Sequence, residues 1–191
     1  MRLADGDLQV SNTPLGNTFV QVSAGWAHSV ALKYDGSLVS WGADLYSQVT
    51  DTPPGHDFIQ VAAGGSHAVA LKSDGSLVSW GNNSDGQVSS TPSTNDITQV
   101  SAGSMHSVAL RSDGSLVSWG DDSYNQVSNT PTTSDFIQVS AGVRYSVALR
   151  SDGSLVSWGW DLYNQVSNTP TTSDFTQVSV GGGPHSVALK L

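Results

Sequence analysis

The apolar positions of this chain alternate over runs of five or six residues and then stop at turn residues. Phe136-Ile137-Gln138-Val139-Ser140, Ser146-Val147-Ala148-Leu149-Arg150 and Ser154-Leu155-Val156-Ser157-Trp158 each read as a strand. Asp152-Gly153 lies between the last two runs and predicts a hairpin, because glycine accepts a positive φ. Both faces of these strands are apolar: Val30 and Leu32 point one way and Ala31 the other, while Val39 and Trp41 oppose Leu38. A sheet apolar on both sides must be covered on both sides. Val49, Val88, Val127 and Val166 are candidates to start a short fourth strand. The Thr-Pro stretch beyond them ends pairing, since proline has no N–H for a ladder. No segment shows a 3.6-residue period. Each unit is expected to be an antiparallel meander of three to four strands.

The pattern recurs along the whole chain. Ser-Leu-Val-Ser-Trp-Gly occurs four times, with Trp41, Trp80, Trp119 and Trp158 spaced by 39 residues. Gln-Val recurs at Gln9, Gln48, Gln87, Gln126 and Gln165 in the same steps. Stacking such units radially covers each sheet with its neighbours, which predicts an all-β propeller of five blades in one domain, residues 1–191. Phe/Ile-Gln-Val-Ser-Ala-Gly is placed innermost and Trp-Gly farther out. The array falls a few residues short of five units, since five repeats need 195 residues and the chain has 191. Gln9–Pro14 is identical to Gln126–Pro131. The N-terminal segment is therefore expected to close the ring against Ser186–Leu191, giving a monomer. The alternative is a homodimer in which two chains complement each other's open edges.

The repeat Val-Ser-Ala-Gly-x-x-His-Ser-Val-Ala-Leu-Lys-x-Asp-Gly-Ser-Leu-Val-Ser-Trp-Gly, followed by Gln, resembles that of the regulator of chromosome condensation (RCC1-like) family. Its short spacing and Gln-x-x-x-x-Pro continuation are similar to the bacterial short-blade branch, which includes a propeller-type β-lactamase inhibitor. The resemblance implies a propeller. It implies no single function, because the family includes a nucleotide exchange factor, chromatin binders and enzyme inhibitors.

Charge narrows the partners. All sixteen acidic residues are Asp, and the net charge is −9. Such a balance argues against nucleic acid, which needs a basic footprint, and against anionic membranes. Five of the seven basic residues, Lys33, Lys72, Arg111, Arg150 and Lys190, share one repeat position and read as a solvated ring of weak ion pairs. No apolar run approaches a membrane span, and Met1–Gly6 lacks the apolar core of a secretory signal. Without cysteine, neither disulfides nor thiol chemistry is available. The compartment stays open.

Little in the chain points to catalysis, and neither a cofactor nor a metal is expected. His28, His67, His106 and His185 share one repeat position, where the fourth full unit has Tyr145, and are read as structural hydrogen-bonding groups. No Gly-x-Ser-x-Gly elbow is present. Asp121-Asp122 and Asn82–Gly86 lack the spaced carboxylates of a calcium loop. Variation instead gathers between the first two strands and after Trp-Gly, two segments that a meander brings to one end of each blade. That end carries Trp26, Met105, Arg144, Tyr145, Trp160, Tyr46, Tyr124 and Tyr163, residue types that dominate binding hot spots. The expected function is a non-catalytic module engaging a protein partner through this face, inhibitor- or adhesion-like. The alternatives are a small lectin with one glycan site per blade, or a recently amplified or engineered propeller without a dedicated ligand.

Overall fold

The computed structural model describes residues 13–15 and 18–190. Among the described residues fourteen strands follow one another: β1 (Phe19–Ala24), β2 (His28–Lys33), β3 (Leu38–Gly42), β4 (Phe58–Ala63), β5 (His67–Lys72), β6 (Leu77–Gly81), β7 (Ile97–Ala102), β8 (His106–Arg111), β9 (Leu116–Gly120), β10 (Phe136–Ala141), β11 (Tyr145–Arg150), β12 (Leu155–Gly159), β13 (Phe175–Val180) and β14 (Ser186–Lys190). They form four antiparallel three-stranded sheets and a two-stranded fifth, each in sequence order. The first strands of successive sheets are neighbours, β1 to β4, β4 to β7, β7 to β10 and β10 to β13. They are therefore innermost, as the sequence predicts, and the arrangement is propeller-like.

Each Asp-Gly hairpin is a three-residue loop. Gly36 N–H donates to Lys33 O and Lys33 N–H to Ser37 O, with Gly36 at φ 78°. This is a type I turn closed by a left-handed glycine, not the two-residue turn that Asp-Gly also favours. Asp35 Oδ1 accepts hydrogen bonds from the Ser37 N–H and hydroxyl, which fixes the turn and lowers the Asp35 pKa. The basic ring is tied elsewhere. Lys72, Arg111, Arg150 and Lys190 pair with Asp57, Asp96, Asp135 and Asp174, each on the residue or two before an inner strand, at 3.0–3.4 Å.

The core lies between sheets, not within one. Val30, Leu32 and Leu38 of the first sheet pack on Phe58, Val61 and Trp80 of the second, and three further clusters repeat this junction. Fully burying one such side chain contributes roughly 1.5–3 kcal/mol. Polar clasps set the register. Gln21 Oε1 accepts from Val61 N–H and its Nε2 donates to Val61 O, both at 3.0 Å, while Ser23 Oγ accepts from Ala63 N–H at 2.9 Å. At the inner corner only glycine fits: a Cβ on Gly64 would stand 2.5 Å from Gly103 O.

One expectation about the strands changes. The Gln-Val segments are not a fourth strand. Val49 and Thr50 N–H donate to Asp44 Oδ1, and Asp51 and Thr52 N–H close turns onto Ser47 and Val49 carbonyls. Those donors are unavailable to a ladder. Ring closure by the N-terminal segment concerns residues 1–12, which lie outside the described residues. Among the described residues both end sheets keep an open face: Val22 is 59% exposed where Val61 is 1%, and Val187 is 66% exposed where Val147 is 1%.

Candidate binding face

Both variable segments of each blade do meet at one end. Ala43 N–H donates to Ala27 O, Asn82 to Ser66, Asp121 to Met105 and Trp160 to Arg144, at 2.6–2.9 Å. The loop after Trp-Gly is rigidly built. Its second residue, Asp44, Asn83, Asp122 or Asp161, accepts two backbone N–H groups five and six residues on. Its fifth residue takes a left-handed conformation at Ser47, Gly86, Asn125 and Asn164. The glutamine that follows is the anchor. Gln126 is fully buried; its Oε1 accepts from Tyr124 N–H at 2.9 Å and its Nε2 donates to Asp121 Oδ2 at 2.7 Å. Its own carbonyl accepts from Trp158 Nε1 of the next sheet at 3.0 Å. Trp80 and Trp119 reach the Gln48 and Gln87 carbonyls in the same way, so the first three loops are each fastened to the blade that follows.

On this frame the fourth blade and its neighbour assemble a cluster. The Arg144 guanidinium lies 4.7 Å from the Tyr124 ring centroid and 5.5 Å from that of Trp160. Trp160 stands edge-on to Tyr124 at 6.0 Å and to Tyr163 at 5.3 Å. Arg144 and Tyr163 are exposed; Tyr124 and Trp160 are half-buried. Arg144 forms no ion pair among the described residues, unlike Lys72, Arg111, Arg150 and Lys190 at the hairpin end. A guanidinium over two aromatic rings keeps its charge available while its faces are desolvated.

The remaining predicted residues form a second group. Trp26, Tyr46 and Met105 line a cleft of about 130 Å³ with Ser104 and Gln87. Tyr145 belongs to neither group. It is 1% exposed and packs between the fourth and fifth sheets, because it fills the slot that histidines occupy elsewhere. It is not a surface residue. Leu45 and Leu162, exposed by 76% and 69% beside Tyr46 and Tyr163, extend the apolar surface and were not singled out from the sequence. Their signal was present: a large apolar residue where the other two loops have Ser84 and Ser123.

The sequence model of the regulator of chromosome condensation (RCC1) repeat matches residues 19–48, 58–87, 97–126 and 136–165, well over half of the chain. The chain belongs to the RCC1 repeat family. Solved structures agree on the fold. The ectodomain of the Physcomitrella patens receptor kinase CR4 superposes with a TM-score of 0.78 at 22% identity, over 93% of this chain and 51% of that one. Human WBSCR16 gives 0.72 at 20% identity, over 90% and 57%. Prp20p from Saccharomyces cerevisiae gives 0.71 at 24%, over 93% and 58%. This chain therefore spans about half the length of these structures. No curated protein sequence matches it.

Within the RCC1 repeat, two of the shared histidines fasten blades together. His67 Nε2 lies 2.9 Å from Ser107 Oγ, and His106 Nε2 lies 2.8 Å from Ser146 Oγ, all four side chains buried. Burial lowers the pKa of His67 to about 3, helped by the neighbouring His106 and His28, and that of His106 to about 4. These imidazoles are neutral, and the serines beside them are shut off from solvent. The loop carboxylates are likewise engaged. Asp121 accepts from Ser123 and Gln126, and Asp122 from Val127 and Ser128. What the RCC1 face offers to a ligand is aromatic area and one unpaired guanidinium.

Proposed function

We propose that this chain is a non-catalytic binding module that engages a protein partner through its loop face, inhibitor- or adhesion-like. The 39-residue spacing and the Gln-x-x-x-x-Pro continuation support placing it with the bacterial short-blade branch. The observation that carries the reading is the Arg144–Tyr124–Trp160–Tyr163 cluster. Tyr, Trp and Arg together supply large, rigid contact area with a charged handle. The cluster also breaks a local rule of the repeat. Trp160 stands where Asp121 accepts the Gln126 amide, and the corresponding Gln165 Nε2 is buried without a partner. A fully satisfied loop exists one blade away, so this departure supports selection for something other than stability. Among the similar structures, yeast RCC1 (Prp20) is bound to Kap60, and Prp20p is described with binding properties to Gsp1p and histones. The lectin alternative is less favoured, because Asp44, Asp122 and Asp161 each commit an oxygen to two backbone N–H groups of their own loop.

The test is affinity capture with immobilised protein, comparing wild type, the double variant Arg144→Ala/Trp160→Ala, and Ser112→Ala at the opposite, hairpin end. A specific protein is expected to be retained by wild type and Ser112→Ala and lost from the double variant. Equal retention by all three rejects the face; retention of glycans on a sugar array, with no protein partner, favours the lectin instead.

A further inference from the structure

We propose that this chain associates with itself head to tail, the open face of β13–β14 in one copy packing on the open face of β1–β3 in the next. Each internal junction is made from two unlike halves. The leading half offers a glutamine on its inner strand, joined by a serine in the first, third and fourth junctions where the second has Ala62; the following half offers backbone N–H groups. Gln138 Oε1 accepts from Val178 N–H and Ser140 Oγ from Val180 N–H, both at 2.9 Å, repeating the Gln21–Val61 and Ser23–Ala63 clasps. At the last sheet Gln177 and Ser179 occupy the leading positions and are exposed. At the first sheet Val22 and Ala24 occupy the following positions and are exposed as well. The two ends therefore carry the two complementary halves of a junction already built four times within the chain.

The apolar part matches in the same way. Val147 and Leu149 are each 1% exposed because the fifth sheet covers them; their counterparts Val187 and Leu189 are 66% and 59% exposed. Val178 is 3% exposed beneath the fourth sheet, whereas its counterpart Val22 is 59% exposed. A second copy presents the residues, strand spacing and clasp donors that these faces accept. The contact is heterologous: one surface of each copy meets a different surface of the next.

The experiment is sedimentation velocity across a wide concentration range on wild type, Val22→Asp, Leu189→Asp and an equimolar mixture of the two variants. Both positions are exposed in the single chain, so circular dichroism and urea unfolding are expected to match wild type. Wild type is expected to shift with concentration to at least twice the monomer mass. Each variant alone is expected to stay monomeric, since one of its two faces is spoiled. Their mixture is expected to form a one-to-one dimer and no larger species, because one intact tail face meets one intact head face. A wild type that stays monomeric throughout overturns the proposal, as does either variant dimerising alone, which marks a symmetric contact.

Discussion

His28 is the least satisfied residue in the interior. It is 1% exposed, and neither ring nitrogen has a hydrogen-bond partner. The reason is one atom in the next blade: Ala68 stands where Ser107 and Ser146 receive His67 and His106. Ala68→Ser is expected to raise unfolding free energy by about 1 kcal/mol, the usual net value of one buried hydrogen bond. Urea unfolding at neutral pH measures it, and a destabilised variant would show that this slot differs from its two counterparts. Ser47 poses a backbone version of the same problem. It sits at φ 59°, where the other loops place Gly86, Asn125 and Asn164. A left-handed L-residue is strained by about 1–2 kcal/mol, and asparagine relieves part of this by local hydrogen bonding. Ser47→Asn is expected to raise the unfolding midpoint by an amount equivalent to about 0.5 kcal/mol, less than the full strain. An unchanged or lower midpoint would place the cause of the φ elsewhere.

At the scale of the element, the loop after Trp-Gly depends on one glutamine. Gln126 satisfies Tyr124 N–H and Asp121 Oδ2 from full burial, so Gln126→Ala leaves that N–H and that carboxylate oxygen without their partner. A loss of about 2–4 kcal/mol is expected, from one neutral and one charge-assisted bond. Gln165→Ala is expected to cost about 1 kcal/mol, because its amide nitrogen already lacks a partner. Paired urea titrations of the two variants test the difference, and equal losses would refute the anchoring role. The strands, their order and the meeting of both variable segments at one end were legible from alternation and period alone. The role of Gln-Val was not, because a glutamine beside a valine reads the same in a short strand as in a side-chain-capped turn. Tyr145 was misplaced for a related reason: an aromatic in a variable repeat reads as surface until packing shows that it fills a histidine slot. Of the candidate site, Arg144, Trp160, Tyr124 and Tyr163 were legible as residue types, but their stacking depends on the rotation between blades.

For the whole molecule, the histidines buried at the blade junctions set how stability depends on pH. Burial lowers His28 to about 4, His67 to about 3 and His106 to about 4, against 6.5 in the unfolded chain. A lowered histidine pKa means that the unfolded state binds protons which the folded state refuses. Stability is therefore flat above pH ~7 and falls as pH drops from ~6.5 toward ~4, by up to about 1.4 kcal/mol per pH unit for each histidine. The depressed aspartates, Asp44 and Asp122 among them, act in the same direction but only as pH falls through and below the ordinary carboxylate range. The decline between pH 6.5 and 5 thus belongs chiefly to the imidazoles. Tyr145 already occupies the same slot in the fourth blade with a side chain that gains no proton there. His106→Tyr is accordingly expected to fold and to lose about one third of the acid slope, since one of three protons is removed. Urea unfolding of both proteins at half-unit steps from pH 8 to pH 4.5 gives the two slopes. Parallel curves would mean that His106 does not titrate between folded and unfolded states, and that the acid sensitivity of the array comes from somewhere other than its blade junctions.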